Sequence, residues 1–504
     1  MGGGKSLTTT GLVATIIKCF IGSGILFLPK AFSNGGWLFS TLSMVFFAWL
    51  TQLCVMKLIA CRSLLPRGTS YGGIGQHVAG FWGARAVDTS LVLSQAGFCC
   101  VYVSFVARNV IQLLNDLPGR GCWVGAHWLY MLILLEFLWL APLTWVRRLA
   151  SFEATNLVAD ACIGVGLLAV LAWAAAGMAG GAPAAAAGGG PPSPLPALGA
   201  NWPLMLGTAV YAFEGAGMVV PMVNALPPAG RRTFPTTFSL TLAGVSALYI
   251  AVGVVPYAFI AGYGGSGGKV QDCVTLNLPR AWWSYCVVAG YCLALTLSYP
   301  FMMFPAMRAL EAGVAPWLFP EAAVVPEGGE EAEEEEEEGR GSGSEGSGGG
   351  GGGGEGGGRA ALQLAPRVAA EDGGDAGPLL VDGAGVLADA DAALGRAAAA
   401  QSWRTVWKVN AFRSAVVGVT LLVAVLGASQ LDNMVSLIGS FCCTPIAFIF
   451  PAWFHAVMVA RPAGKRMEEL GDWAIVALGC GIMVFTTYQA IAGWGTTEFN
   501  PCLP

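Results

Sequence analysis

The sequence predicts an all-α polytopic membrane protein with about eleven transmembrane helices. Hydrophobic residues make up 55% of the 504 residues and charged residues only 11%, whereas an average soluble domain has about 25% charged residues. The apolar residues occur in long runs that can each cross a bilayer as a helix. Lys and Arg lie mostly in alternate connecting segments, as expected when those segments face the cytosol.

Eleven apolar runs give the number of spans, because a helix needs about 20 residues to cross the hydrocarbon core. The first eight belong to a predicted membrane region of residues 1–320, and the last three to residues 403–504. The runs lie near residues 11–32, 37–60, 86–113, 127–146, 153–176, 201–226, 236–262, 281–310, 412–430, 433–459 and 472–494.

The distribution of basic residues predicts the orientation. A cytosolic N-terminus places twelve Lys and Arg residues on the cytosolic side and five on the opposite side, outside the long insert. Cytosolic segments carry an excess of Lys and Arg. An odd number of spans then puts the C-terminus on the lumenal or external side.

Residues 321–402 differ from the rest of the chain in composition. They hold 18 of the 31 acidic residues but only four of the 26 basic ones, with eight Glu between 330 and 338 and a Gly/Ser tract after them. Such a segment buries too little apolar area to offset its ordering entropy. We predict a disordered cytosolic loop, or alternatively a regulatory docking segment.

Two spans carry matching helix-breaking patterns. Gly22-Ser23-Gly24 in the first span is followed by Pro29, and Gly215-Ala216-Gly217 in the sixth is followed by Pro221. Each pattern opens a block of five spans, as expected of two five-helix inverted repeats whose first helices are broken. Glycine permits unusual dihedral angles and proline removes a backbone donor. Alternatively, the glycines only allow helices to pack closely.

Broken helices inside a membrane must give their free backbone groups a partner. Amide groups at the start of a half-helix can bind a carboxylate, and free carbonyls can bind an ammonium group. A zwitterionic amino acid satisfies both. The predicted substrate-binding residues are Ile21, Gly22, Ser23, Gly24, Tyr211, Phe213 and Gly215.

Five runs resemble the amino acid/auxin permease family. They are similar to its first, third, sixth, eighth and tenth helices, and the last run is most similar to plant and algal vacuolar transporters. In order, the runs are IGSGILFLPKAFSNGGW (21–37), SLVLSQAGFCCVYVSFVARN (90–109), YAFEGAGMVVPM (211–222), LTLSYPFMMFPAMRALE (295–311) and MVSLIGSFCCTPIAFIFPAWFH (434–455).

The resemblance implies a five-plus-five inverted repeat of the LeuT/APC type, with an eleventh helix added. It implies an amino-acid substrate moved with protons or, alternatively, with sodium, and no cofactor. The vacuolar members imply transport of neutral amino acids, and a vacuolar or lysosomal membrane rather than the plasma membrane. Many relatives carry a carboxylate after the sixth-helix proline, where this chain has Val223 and Asn224.

Three polar residues inside predicted spans are candidates for coupling or gating. Glu214 lies just before the sixth-span break, where a charge in the bilayer is costly without a partner. It is a proton-sensitive gate, or alternatively a static carboxylate bonded to nearby amides. We predict that Lys18 forms an ion pair with Asp160 or Glu136 and takes the place of a sodium ion. Alternatively, its side chain extends to the cytosolic interface. Ser298 lines an ion site or the pocket.

The positions of three cysteines allow a disulfide bond. Cys122, Cys273 and Cys502 fall in segments predicted to be non-cytosolic, where an oxidising compartment permits a disulfide. The family resemblance favours Cys122–Cys273.

Several function classes are not indicated. No Cys/His cluster has metal-ligand spacing, no nucleophile-and-base pair or phosphate loop occurs in a soluble segment, and no basic patch suggests nucleic acid. We therefore expect neither an enzyme nor a metal site. An amino-acid sensor that signals through residues 321–402 is the alternative to a transporter.

Overall fold

The computed structural model describes residues 9–66, 69–116, 124–125, 127–146, 153–180, 194–224, 226, 228–263, 269–318 and 383–495. Within those ranges all regular secondary structure is helical, which confirms the predicted all-α class.

The N-terminal half begins with a broken helix. A 3-10 turn, Ser23–Phe27, joins the first two α-helices. In chain order the helices are α1 (Thr9–Phe20), α2 (Leu28–Gly35), α3 (Trp37–Ser63), α4 (Tyr71–Asn115), α5 (His127–Leu135), α6 (Phe137–Leu143) and α7 (Glu153–Ala179).

The second half contains another interrupted pair. The helices are α8 (Trp202–Ala212), α9 (Ala216–Asn224), α10 (Pro228–Tyr257), α11 (Trp282–Leu318), α12 (Gly383–Gly427), α13 (Leu431–Leu437), α14 (Phe450–His455) and α15 (Arg466–Ala492). Short π-helical stretches follow α10, α13 and α14, at Ala258–Gly262, Ile438–Cys443, Pro445–Ile449 and Ala456–Ala460.

The number of spans can be compared only over the described residues. There, nine helices are long and apolar enough to cross a membrane, and a bent pair, Leu12–Phe20 with Ser23–Gly35, makes a tenth. The predicted fourth span is present as a shorter apolar stretch, His127–Leu143. Eleven spans and the inverted repeat therefore stay predictions.

The chain divides into two compact units. One comprises Lys5–Pro316 and Asn410–Pro504, and the other comprises Met1–Gly4 and Trp317–Val409. In the larger unit, α2 packs against both α8 and α10. In the smaller unit, the described residues are the last two of α11 and the first part of α12.

Close helix packing explains several glycines. A Cβ at Gly439 would overlap the carbonyl oxygen of Gly207, so α8 and the π-helix Ile438–Cys443 approach each other backbone to backbone. Small residues allow such approach in membrane proteins. This contact fixes α8 against the tenth predicted span.

Two helices start earlier than predicted. α4 begins at Tyr71 rather than near residue 86, and it kinks at Ala79 and Gly80, where Gly80 has a φ of 58°. Glycine reaches that angle without strain. α12 begins at Gly383 rather than near residue 412, so it includes residues 383–402, whose many alanines favour a helix. The disordered loop of residues 321–402 stays a prediction. Residues 319–382 lie outside the described residues.

Candidate functional site

The first predicted break is present. α1 ends at Phe20, a 3-10 turn runs from Ser23 to Phe27, and the two halves of the span differ in direction by 44°. Gly22 has an extended conformation, with φ −112° and ψ −153°. Pro29 lies in the first turn of α2, where its missing N–H removes no helical hydrogen bond.

The sixth predicted span is also interrupted. α8 ends at Ala212 and α9 begins at Ala216, so Phe213, Glu214 and Gly215 are not helical. The Phe213 N–H still donates to the Ala209 carbonyl oxygen at 3.0 Å. The other backbone groups at these helix ends have no regular partner within the helix and must be satisfied elsewhere. The glycine and proline spacing therefore predicted both interruptions.

The two breaks are in direct contact. The Ser23 hydroxyl is 2.8 Å from the Tyr211 hydroxyl, and this hydrogen bond is buried. A Cβ at Gly24 would lie 2.9 Å from the Cα of Ala212, and a Cβ at Gly215 would lie 2.8 Å from the Phe20 ring. Glycine at positions 24 and 215 is therefore what lets the two breaks touch.

Tyr249 of α10 bridges the two breaks. Its hydroxyl donates a hydrogen bond to the Phe20 carbonyl at the end of α1. The same hydroxyl is 3.1 Å from the Ala212 carbonyl at the end of α8. The side chain is fully buried. Tyr249 thus partners the last carbonyl of both half-helices, a role that its place in an ordinary apolar run did not reveal.

Glu214 lies at the junction and is 7% exposed. The backbone N–H of Gly217, in the first turn of α9, donates a hydrogen bond to its carboxylate. Its Oε1 atom is buried and has no hydrogen-bond partner among the described residues. The positive end of the α9 dipole stabilises a negative charge there. Glu214 thus lies beside the start of α9 with its Oε1 atom unpartnered among the described residues.

Aromatic side chains surround the breaks. The Tyr211 ring lies 4.6 Å from Phe98 and 6.4 Å from Phe27, between ring centroids. The Phe213 ring lies 5.3 Å from Tyr249. Tyr211 and Phe213 thus help to form an apolar wall, while the Tyr211 hydroxyl faces Ser23.

Lys18 joins three spans. Its Nζ atom is 3.7 Å from Oδ2 of Asp160 on α7 and 4.9 Å from the centre of the Phe301 ring on α11. The observed partner is therefore Asp160 and not Glu136, which lies between α5 and α6. Both side chains of the ion pair are partly exposed.

Ser298 and the cysteines lie apart from this contact. Ser298 is partly buried on α11, and over the described ranges no hydrogen bond links it to the breaks. Cys273 is buried beside Asn109 and Thr275. Cys122 lies outside the described residues, so the Cys122–Cys273 disulfide remains a prediction.

A second buried charge cluster lies on α15. Asp472 is fully buried. One of its oxygens is 2.6 Å from Nζ of Lys57 on α3, and the other is 2.7 Å from Nδ1 of His455 on α14. This cluster connects three helices and was not predicted, because its members lie far apart in the sequence.

Similar proteins were found by comparison. The Saccharomyces cerevisiae protein named vacuolar amino acid transporter 3 is 28% identical over 97% of this chain and 57% of its own length, and vacuolar amino acid transporter 4 is 27% identical over 97% and 59%. The chain thus spans less than three fifths of these yeast relatives. The Arabidopsis thaliana amino acid transporter AVT3A is 30% identical over 59% of this chain and 67% of its own length.

Among solved structures, the crystal structure of MhsT in complex with L-phenylalanine covers 97% of this chain and 99% of its own, with 11% identity and a TM-score of 0.45. A likeness at that level supports no conclusion about this chain. The family profile described as transmembrane amino acid transporter protein matches residues 5–492, which confirms the predicted resemblance and the expectation of a non-enzymatic protein. The chain belongs to the transmembrane amino acid transporter protein family.

Proposed function

We propose that this protein is a secondary active transporter that moves neutral amino acids together with protons by alternating access. The observation that carries the proposal is the direct contact of two interrupted helices around Glu214, a buried carboxyl group with one unpartnered oxygen. Family membership supports an amino-acid substrate. The yeast relatives are named as vacuolar transporters, which supports a multi-pass protein of a vacuolar membrane. The cytosolic N-terminus of the proposal rests only on the distribution of Lys and Arg.

The breaks supply the groups that a zwitterion needs. Residues 20–24 and 212–216 include the ends of α1 and α8 and the start of α9. Carbonyl groups at helix ends attract an ammonium group, and amide groups at helix starts attract a carboxylate. Because the Ser23–Tyr211 hydrogen bond joins the breaks, substrate entry requires these two side chains to separate.

Glu214 is the proposed proton-binding group. A charged carboxylate in a membrane interior needs a donor or an opposite charge, whereas a protonated one needs neither. The Gly217 amide acts on the carboxylate, so gain and loss of a proton at Glu214 would change how strongly Glu214 holds the start of α9. Substrate binding and protonation would thus be coupled at one junction.

Lys18 supports protons over sodium. Its ammonium group lies between the first, fifth and eighth predicted spans, against Asp160 and Phe301. A fixed positive charge there repels a cation at the same place. Sodium coupling through Ser298 is the alternative, and it requires a cation beside the same helix α11.

The test is transport by the purified full-length chain in proteoliposomes. We expect uptake of labelled neutral amino acids to rise with an imposed pH gradient and not with a sodium gradient. Glu214→Gln should remove the response to the pH gradient. Glu136→Gln is the matched control, because Glu136 is also buried with an unpartnered Oε1 but lies in a different span, and it should keep the response.

Two results would contradict this proposal. Uptake driven by sodium alone would refute proton coupling, and an unchanged pH response in Glu214→Gln would remove Glu214 from the mechanism. A sensor that acts through residues 321–402 would bind an amino acid without moving it, and deletion of that segment should then abolish partner binding but not substrate affinity.

A further inference from the structure

A cavity of about 440 Å³ lies at the far end of the two broken spans, and we name it the end cavity. It falls in the size range of small-molecule sites, and that range is about 300–1,000 Å³. Its lining comprises Lys30, Asn34, Ala200, Asn201, Trp202, Pro203, Leu204, Asp272, Asp432, Asn433, Phe485, Gln489, Ala492 and Gly493.

The end cavity is separate from the breaks but in line with them. α2 and α8 both start or end at a break, and their other ends contribute to its lining. From Trp202 to Ala212 the axis of α8 rises by about 15 Å, at 1.5 Å per residue. A molecule in the end cavity would therefore lie about three helical turns from the contact between the breaks.

The lining contains an acidic group, Asp432. Asn34 donates a hydrogen bond of 2.7 Å to Oδ2 of Asp432. Among the described residues, the neutral Asn34 amide is the only group that donates a hydrogen bond to the Asp432 carboxylate. The charges of Lys30, Asp272 and Arg108 also act on Asp432 electrostatically. A carboxylate with a single neutral donor can still accept a charged one, and charge-assisted hydrogen bonds are stronger than neutral ones.

The lining also contains a basic group, Lys30, whose charge acts on Asp432. Nζ of Lys30 is 4.0 Å from Oδ1 of Asp272 and 3.4 Å from the Val270 carbonyl oxygen, and both distances are longer than a normal hydrogen bond. Arg108 holds Asp272 much more closely. Lys30 has three donors, so it can bind a second carboxylate without breaking a strong contact.

Two aromatic rings form an apolar part of the same lining. Trp202 and Phe485 stack at 5.5 Å between centroids, with 29° between their planes. Opposite charges and an apolar wall in one cavity match a neutral amino acid, which carries an ammonium group, a carboxylate and an apolar side chain. Neither an amine nor a carboxylic acid alone would engage both Asp432 and Lys30.

We propose that the end cavity is a second binding site for a zwitterionic amino acid, with Asp432 taking its ammonium group and Lys30 its carboxylate. The substrate class rests on the proposed function, but binding here requires no transport. The site would hold substrate on the side of the protein from which α2 and α8 lead to the breaks, and under the predicted orientation this side is lumenal.

The test is equilibrium binding of labelled leucine to the purified full-length chain in detergent. We expect Asp432→Asn and Lys30→Gln each to weaken one class of sites by about ten- to hundredfold, the equivalent of one charge-assisted hydrogen bond. Ala200→Trp should close the same site while leaving every charged group in place. Asp116→Asn is the control, because Asp116 pairs with Arg280 at 2.7 Å outside the end cavity, and it should bind as the unmodified chain does.

Isocaproate and isoamylamine each lack one charged group of leucine. Their competition with labelled leucine tests whether the site requires both the ammonium group and the carboxylate. Either analogue competing as well as leucine would overturn this assignment. If the unmodified chain transports leucine and both Asp432→Asn and Ala200→Trp bind leucine as it does, the proposed site is overturned. If the unmodified chain binds leucine but transports none, and Asp432→Asn loses that binding, the site is supported and the proposed function is refuted.

Discussion

Replacing Tyr249 by Phe tests whether one hydroxyl joins the two breaks. The change removes the single hydroxyl proton that the carbonyls of Phe20 and Ala212 share, and it keeps the ring that packs on Phe213. The Phe20 carbonyl retains the N–H of Gly22 at 2.9 Å. The Ala212 carbonyl loses its donor in a region that water does not reach.

The expected cost follows from these contacts. Removal of one partner that leaves a buried acceptor without a donor costs about 1–3 kcal/mol. We therefore expect the free energy of unfolding to fall by about 1–3 kcal/mol. Unfolding in mixed micelles of detergent and SDS, followed by tryptophan fluorescence, measures this difference.

Tyr291→Phe is the matched control. The Tyr291 side chain is also fully buried, but its hydroxyl lies 3.4 Å from the Ile163 carbonyl oxygen, which is too long for a strong bond. Its loss should cost less than about 1 kcal/mol. Equal costs for the two variants would refute the idea that Tyr249 has a special role in holding the breaks together.

Two further predictions concern packing and buried charge. Gly24→Ala should greatly reduce uptake, because its Cβ would lie 2.9 Å from a backbone atom of α8. Gly22→Ala is the control, because its Cβ would have no neighbour closer than 3.9 Å and the backbone packing should be retained. Equal uptake by the two variants would contradict this prediction. Lys57→Met should lower the free energy of unfolding by about 3–5 kcal/mol, because it leaves Asp472 buried without its lysine partner. Lys465→Met removes an exposed ion pair and should cost less than about 1 kcal/mol; a similar cost for both would show that the Asp472 cluster contributes little.

The sequence by itself determined the class of fold and the position of the breaks. Composition and the length of the apolar runs require lipid as the solvent, because water cannot solvate so much apolar surface. The interruptions at residues 21–24 and 213–215 follow from local chemistry, since glycine and proline destabilise a helix wherever they occur. Local properties of this kind can be predicted without knowledge of neighbouring helices.

The tertiary structure alone decided which groups meet. Tyr249 is one of many aromatic residues in apolar runs. Only the packing of α10 against both breaks places its hydroxyl within hydrogen-bond distance of the Phe20 and Ala212 carbonyl oxygens. Asp432 and Lys30 are 402 positions apart in the sequence and line one cavity. Contacts between distant segments depend on how helices pack together, and the order of residues along one helix does not contain that information.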